Sequence, residues 1–525
     1  MTISLGVQAA FAAVILVTLA YYVPQWRQLS RRRHLPPGPR PFPVLGNILQ
    51  MALEFPEKRF AQWGKKYGDM IFLRMFNTPV LVINSAAAAR DLLDKRSAIY
   101  SDRPHSVMMT DLLGWEHDFS LMSYNEEFRK HRRWMQKPFF SRSCLAAFAD
   151  MQRRDVIALL VGLLNDPEDF GTHIYRYFAS FMLQYLYGHT LTSPDDEYYH
   201  VVEKAVEETM NFSTPGTLPV DLIPSLRYLP AWFPGAGFKQ NAVWIKKTVR
   251  DAAQRTYDLA ESMLTEDGIE ASVISSLIKE SSSKGTLDSE KPEIMMFGLA
   301  LYADTTQTVL MVFLLAMVLY PDVYAKAQEE IDRVIGGARL PTFTDRDALP
   351  YLDCILKETY RYVLLFWASP TCCHRTHPTG VSHVLREDDE YRGCWIPKGT
   401  MVMPNLWSTF MLHDANVYPD PETFCPDRFN GLYESQEDPR NIVFGFGRRI
   451  CPGRRFAEIG IWQAMANIVA TFDLGKARDA MDNEITPPGT FSSGFINHPH
   501  KFKCTMTPRS KKAIELITNG KSTQT

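Results

Sequence analysis

The chain has 525 residues, 46% hydrophobic and 12% aromatic, which supports a large buried core and excludes a disordered or fibrous protein. Lys and Arg number 57 against 59 Asp and Glu, so the balanced charge gives no global attraction to nucleic acid, and no nucleic-acid partner is expected. The eight cysteines form no CxxC pair or regular spacing, which points to reduced thiols on a cytosolic face. The length would allow roughly three domains, yet no internal repeat or long low-complexity linker separates them. One large folded unit over residues 48–525 is the simplest organisation.

At the amino terminus, residues 3–23 are apolar apart from a few small polar residues and Gln8, and the first charge is Arg27. As a helix this stretch could span about 30 Å of hydrocarbon. A cleavable signal peptide wants positive charge ahead of the apolar run, whereas Arg27, Arg31, Arg32 and Arg33 all follow it. Residues 1–26 therefore read as a retained single-pass anchor, and the positive-inside rule puts everything after Arg33 in the cytosol. Residues 27–47 read as a basic, Pro-rich linker: five prolines within residues 35–47 deny the chain a helix and stiffen it.

Beyond the linker, MIFLRMF and PVLVINS have the residue types and bounding turns of short strands, while most of the later chain has helical apolar spacing. The predicted class is mainly α with small β-sheets. Two stretches, 107–123 and 212–238, are apolar and aromatic. In the second, Leu229, Trp232 and Phe233 beside prolines suit either an amphipathic loop at a membrane surface or ordinary core packing. Residues 275–292 are polar and predict a surface connection, with Pro292 and Glu293 opening the next element. From Ile294 to Tyr320 nearly every face is apolar, which predicts one long helix through a core, stopped by Pro321. Inside it sit Asp304 and Thr305, an acid and an alcohol that are costly there unless hydrogen-bonded or wet; a bond from Thr305 back to the preceding turn is the plainer alternative.

Further on, Glu358 and Arg361 in KETYR are spaced to pair on one helix face, although such pairs are commonly exposed and weak. The segment CCHRTH has the residue types of a metal site, but adjacent Cys372 and Cys373 cannot easily share one tetrahedral centre, and no metal is assigned there. The decapeptide FGFGRRICPG carries more. Gly445, Gly447, Pro452 and Gly453 let the backbone turn tightly around Cys451 with amide hydrogens near the sulfur. Arg448 and Arg449 add positive charge, and the apolar helical run after Gly453 points its amino terminus back at the thiol. All three features favour a thiolate.

Phe444, Gly447, Arg449, Cys451 and Gly453 match F-x-x-G-x-R-x-C-x-G, the haem-binding signature of the cytochrome P450 family, and the chain resembles that family along almost its whole length after the anchor. In detail it looks like fungal, mushroom-type microsomal members. The resemblance implies the mostly helical P450 fold and haem b held through the Cys451 thiolate. It implies that Arg449 and Arg132 bind haem propionates, with His383 as a basic contact to the other propionate. It makes Glu358, Arg361 and Arg428 of CPDRF a structural support of the haem loop, and Asp304 with Thr305 a relay of protons to iron-bound oxygen. Phe128 stands where the family usually has tryptophan.

The activity implied is a monooxygenase that uses O2 and electrons from NADPH, delivered by an NADPH-dependent reductase. It would hydroxylate or epoxidise a small hydrophobic substrate, terpenoid, aromatic or another secondary metabolite or xenobiotic. The implied place is the endoplasmic reticulum membrane, in contact with lipid, catalytic domain on the cytosolic side. Two departures qualify this. LYADTT puts Leu301 and Tyr302 where relatives carry small residues, and residues 363–379 are longer than the usual link. A haem-thiolate isomerase or peroxygenase, or a haem-binding protein with impaired oxygen activation, are the alternatives these departures leave open.

Overall fold

The computed structural model describes residues 34–51, 56–212, 219–233, 236–264, 272–302, 305–363, 381–406, 411–431, 436–490 and 499–522. The predicted anchor, CCHRTH and Asp304 lie outside these residues. The described chain divides into two compact units. One takes its residues from Met1–Pro104, His377–Met411 and Phe446–Arg449, the other from His105–Thr376, Leu412–Gly445 and Ile450–Thr525.

The first unit is built on a sheet of β1 (Met70–Met75), β2 (Thr78–Ile83), β3 (His383–Val384) and β6 (Met401–Pro404), in the order β1-β2-β6-β3. β1 and β2 are the two strands expected from MIFLRMF and PVLVINS. They pair antiparallel with Met70 opposite Ile83, and β2 runs parallel to β6. Residues 70–75, 80–83 and 401–404 are all buried, so the sheet is covered on both faces and its strands read as continuous apolar runs. The Pro-rich segment is extended here, and the Phe72 amide donates to the Pro37 carbonyl at 2.9 Å. A small hairpin of β4 (Asp389–Tyr391) and β5 (Cys394–Ile396) completes the β structure of this unit.

The second unit is helical, with one sheet, β8-β7-β9, from β7 (Phe472–Arg478), β8 (Glu484–Ile485) and β9 (Cys504–Pro508). The helix Arg454–Thr471 runs through its core, nearly every side chain from Phe456 to Thr471 being buried or half-buried. Phe456 stacks on Phe148 with ring centroids 3.5 Å apart and meets Phe139 and Phe181 edge-on. These close-packed rings hold the helix, and with it the residues at its amino terminus.

Two sequence expectations are corrected in this unit. The stretch predicted as a surface connection is largely helix: Val273–Lys284 forms one, capped by the Ser272 side chain accepting the Ser275 amide, with Ile274, Leu277 and Ile278 buried on one face. Only Gly285, left-handed at φ 69°, and Thr286 separate it from the next helix, Leu287–Leu301. The serine-rich composition hid a core-facing stripe. The single helix expected from Ile294 to Tyr320 is two, Leu287–Leu301 with Pro292 inside it and Thr305–Leu319. At the break Tyr302 leaves the helical region, with φ −76° and ψ 69°. Both helices are mainly buried, so their apolar length reflects the core and not a bilayer.

Candidate active site

Cys451 lies at the end of the loop that precedes the Arg454–Thr471 helix. Gly445 has φ 77°, a conformation other residues adopt only with strain. The turn closes with the Cys451 amide donating to the Phe444 carbonyl at 2.8 Å. The half-buried thiol is pushed above its ordinary pKa by burial. Against this act the backbone N–H of Gly453, the positive charges of Arg132 and Arg454, and the N–H of Arg454. The helix terminus thus contributes as expected, but burial outweighs it. Arg448 is exposed. Arg132 and Arg454, from outside the predicted pair, favour the thiolate.

Arg132 comes from the helix Glu126–Phe140. Asn125 caps this helix, its side chain accepting the Phe128 amide at 2.9 Å, and Glu126 and Glu127 suit the positive end of the helix dipole. Phe128, His131, Met135 and Phe139 form its buried stripe, and Arg132, beside that stripe, is half-buried. Its Nη1 donates to the Ile450 carbonyl at 3.1 Å, and burial lowers its pKa while Cys451 opposes the fall. The chain thus ties this guanidinium to the backbone just before the cysteine.

Glu358, Arg361 and Arg428 meet, and they are not a surface pair: their side chains are 0%, 0% and 2% exposed. Arg361 grips Glu358 with two bonds of 2.7 Å, and Arg428 Nε reaches the same carboxylate at 3.2 Å. Glu358 also accepts the Cys425 amide at 2.8 Å. The remaining guanidinium hydrogens go to carbonyls of Leu412, Pro419, Asp420, Pro421 and Thr423. Buried charges are tolerated only when paired and hydrogen-bonded to this extent. The trio fastens the irregular stretch 412–428 to the helix Pro350–Val363.

In the first unit, residues 100–103 collect the other predicted groups. Arg449 Nε donates to the Ser101 carbonyl at 2.7 Å, and the His383 imidazole meets the Tyr100 carbonyl through Nδ1 at 2.7 Å. Gly447, at φ 53°, lets the loop press on the Arg90–Lys95 turn, where an added Cβ would lie 2.3 Å from the Leu93 carbonyl oxygen. His383 is buried, and burial with the charges of Arg103 and Arg449 holds its pKa well below the ordinary imidazole value. As placed, its Nδ1 bonds the Tyr100 carbonyl. Arg103, which bonds the carbonyls of Val381 and Ser382, was missed from the sequence because nothing in DRP distinguishes it from a surface arginine.

Thr305 is exposed at the first turn of a helix that is packed further along. Tyr302 is buried at the break before it. Each unit by itself offers groups that suit a haem: in the second, the Cys451 sulfur among amide hydrogens with the Arg132 charge acting on it; in the first, Arg449 and Arg103, whose charges act on His383, where a carboxylate is favoured.

Comparison with known proteins agrees with this fit. The family model for cytochrome P450 matches residues 36–506. The chain belongs to the cytochrome P450 family. Cytochrome P450 monooxygenases 176 and 136 of Postia placenta are 40% and 37% identical to it, the alignments covering 95% and 98% of this chain and 95% and 96% of those proteins. Cytochrome P450 monooxygenase ple1 of Rhodocybe pseudopiperita is 36% identical over 98% of this chain and 96% of that protein. This P450 is therefore a monooxygenase with fungal relatives, and its family implies haem ligated by a cysteine thiolate.

Proposed function

We propose that this P450 hydroxylates or epoxidises a small hydrophobic molecule, a terpenoid, an aromatic or another secondary metabolite or xenobiotic, with electrons passed from NADPH by a reductase. The observation that carries the reading is Cys451: a sulfur on a glycine-shaped loop, faced by the amides of Gly453 and Arg454 and by Arg132. When bound there, haem supplies oxygen activation at its iron. Cys451 would ligate it, and Arg132 and Arg449 would hold the propionates, matching carboxylates as guanidinium does. His383 positions by hydrogen bond. The Thr305 hydroxyl, with Asp304, passes protons into the site.

Membrane attachment is part of the proposal: residues 1–26 anchor the chain in the endoplasmic reticulum, with the catalytic part on the cytosolic side. Supporting it, Tyr228 and Trp232 are 73% and 80% exposed and Phe233 is 44% exposed, so the aromatic stretch is not core packing. Rings of this kind favour the interface of a bilayer.

The test combines the reduced carbon monoxide difference spectrum with turnover of a terpenoid and aromatic panel. A thiolate-type band together with product that requires reductase, NADPH and O2 supports the proposal. Failure to form product from compounds that bind would sink it. A second reading, a haem-thiolate isomerase or peroxygenase independent of reductase, is favoured by one observation: buried Tyr302 at a break where relatives carry small residues. Product formed with NADPH and reductase omitted would establish that one.

A further inference from the structure

One cluster of metal-ligating side chains has no part in the haem site. His117 precedes the Glu126–Phe140 helix, Glu127 and His131 stand four apart on it, and Glu293 comes from the Leu287–Leu301 helix. A carboxylate oxygen from each glutamate and an imidazole nitrogen of His131 all lie within 4.8 Å of one another. His117 Nδ1 is 2.8 Å from Glu127 Oε1. The His131 ring is wholly buried, stacked on Trp134 at 4.8 Å and edge-on to Phe297 at 5.3 Å, with Nε2 3.2 Å from Glu293. Its direction is set by packing before any ligand arrives.

The local charge is unbalanced. Glu127, Glu290 and Glu293 face a single ammonium, Lys130, which is 2.7 Å from Glu293 and 3.3 Å from Glu290. Three carboxylates gathered around the Lys130 ammonium make a place that a dication suits. At the outer edge, His117 and Glu127 are 30% and 32% exposed, which gives an ion a way in.

We propose that His117, Glu127, His131 and Glu293 form a binding site for a divalent transition-metal ion, zinc being the best match to two imidazoles and two carboxylates. Around a tetrahedral zinc the ligand atoms stand roughly 3.4 Å apart. Closing Glu127, His131 and Glu293 around the ion takes movements of about an ångström, and His117, held at Glu127 and half-exposed, turns in from the outer edge, while Lys130 keeps Glu290 as Glu293 turns to the metal. His131 Nδ1 has no hydrogen-bond partner. Outer partners of that kind are worth about 10–100-fold in metal affinity, so the site binds zinc reversibly. Once filled, it clamps the Glu126–Phe140 helix, which carries Arg132, to the Leu287–Leu301 helix.

The haem-loaded full-length protein, stripped of loose metal by chelation and dialysis, is titrated with zinc chloride against a fluorescent zinc indicator. The expected result is one zinc per chain at the tightest class of site, with His117→Ala and Glu127→Gln each weakening it by about tenfold or more. The reduced carbon monoxide spectrum of both variants stays as in the wild type, which separates lost ligation from lost fold. Equal zinc affinity in wild type and both variants, or no stoichiometric zinc in the wild type, overturns the proposal.

Discussion

Arg132 acts on Cys451 although it lies far from it in the sequence, on the helix Glu126–Phe140. Removing the Arg132 charge leaves burial less opposed, so Arg132→Ala should raise the thiol pKa further than Arg132→Lys, which keeps the charge. Alkylation of haem-free protein by iodoacetamide, followed against pH, reads this as slower reaction in the first variant only. Glu358→Ala strands two guanidiniums that are 0% and 2% exposed; removing one partner of such a buried set costs about 3–5 kcal/mol, measurable by urea unfolding. Asp155, beside the Ser180 hydroxyl at 2.8 Å, is pushed up by burial to about 7 from the ordinary 3.8. Between those values the native chain binds more protons than the unfolded one, so this group's contribution to stability falls as pH rises through the window and levels above it. Asp155→Asn should therefore gain stability relative to the wild type at about pH 8 compared with about pH 5, as thermal unfolding at the two pH values would show.

Among the elements, the strands around residues 70–83 and the helix following Gly453 were legible because their apolar pattern and turn residues agree with the final fold. The stretch 275–292 was not: Lys279, Ser282, Ser283 and Lys284 are exposed, while Ser275 and Ser281 are buried and hydrogen-bonded beside a short stripe of Ile274, Leu277 and Ile278. The break after Leu301 was hidden for the opposite reason, since apolar residues continue on both sides of it and periodicity has nothing to mark. The close approach of the haem loop to the Arg90–Lys95 turn gives an element-scale prediction. Gly447→Ala requires a left-handed alanine and places Cβ 2.3 Å from a backbone oxygen, a strain of about 1–3 kcal/mol or more. The variant should lose haem on heating before the wild type does, as followed by the Soret absorbance.

On the scale of the whole molecule, the family match covers residues 36–506 and leaves the first residues to the proposed anchor. If the exposed aromatics near Trp232 form a second attachment, deletion of residues 1–33 should leave measurable binding to anionic phospholipid vesicles, and Trp232→Glu with Phe233→Glu should abolish what remains in a flotation assay. Sequence alone determined the membership and the central chemistry, because FGFGRRICPG is a local pattern whose glycines, arginines and cysteine act on neighbours a few residues away. Tertiary structure alone decided that Arg132 reaches the thiol, that Glu358, Arg361 and Arg428 are buried together, that His383 is buried, and that Glu127, His131 and Glu293 converge. Burial and long-range proximity set those properties, and neither is encoded in the spacing of residues along the chain.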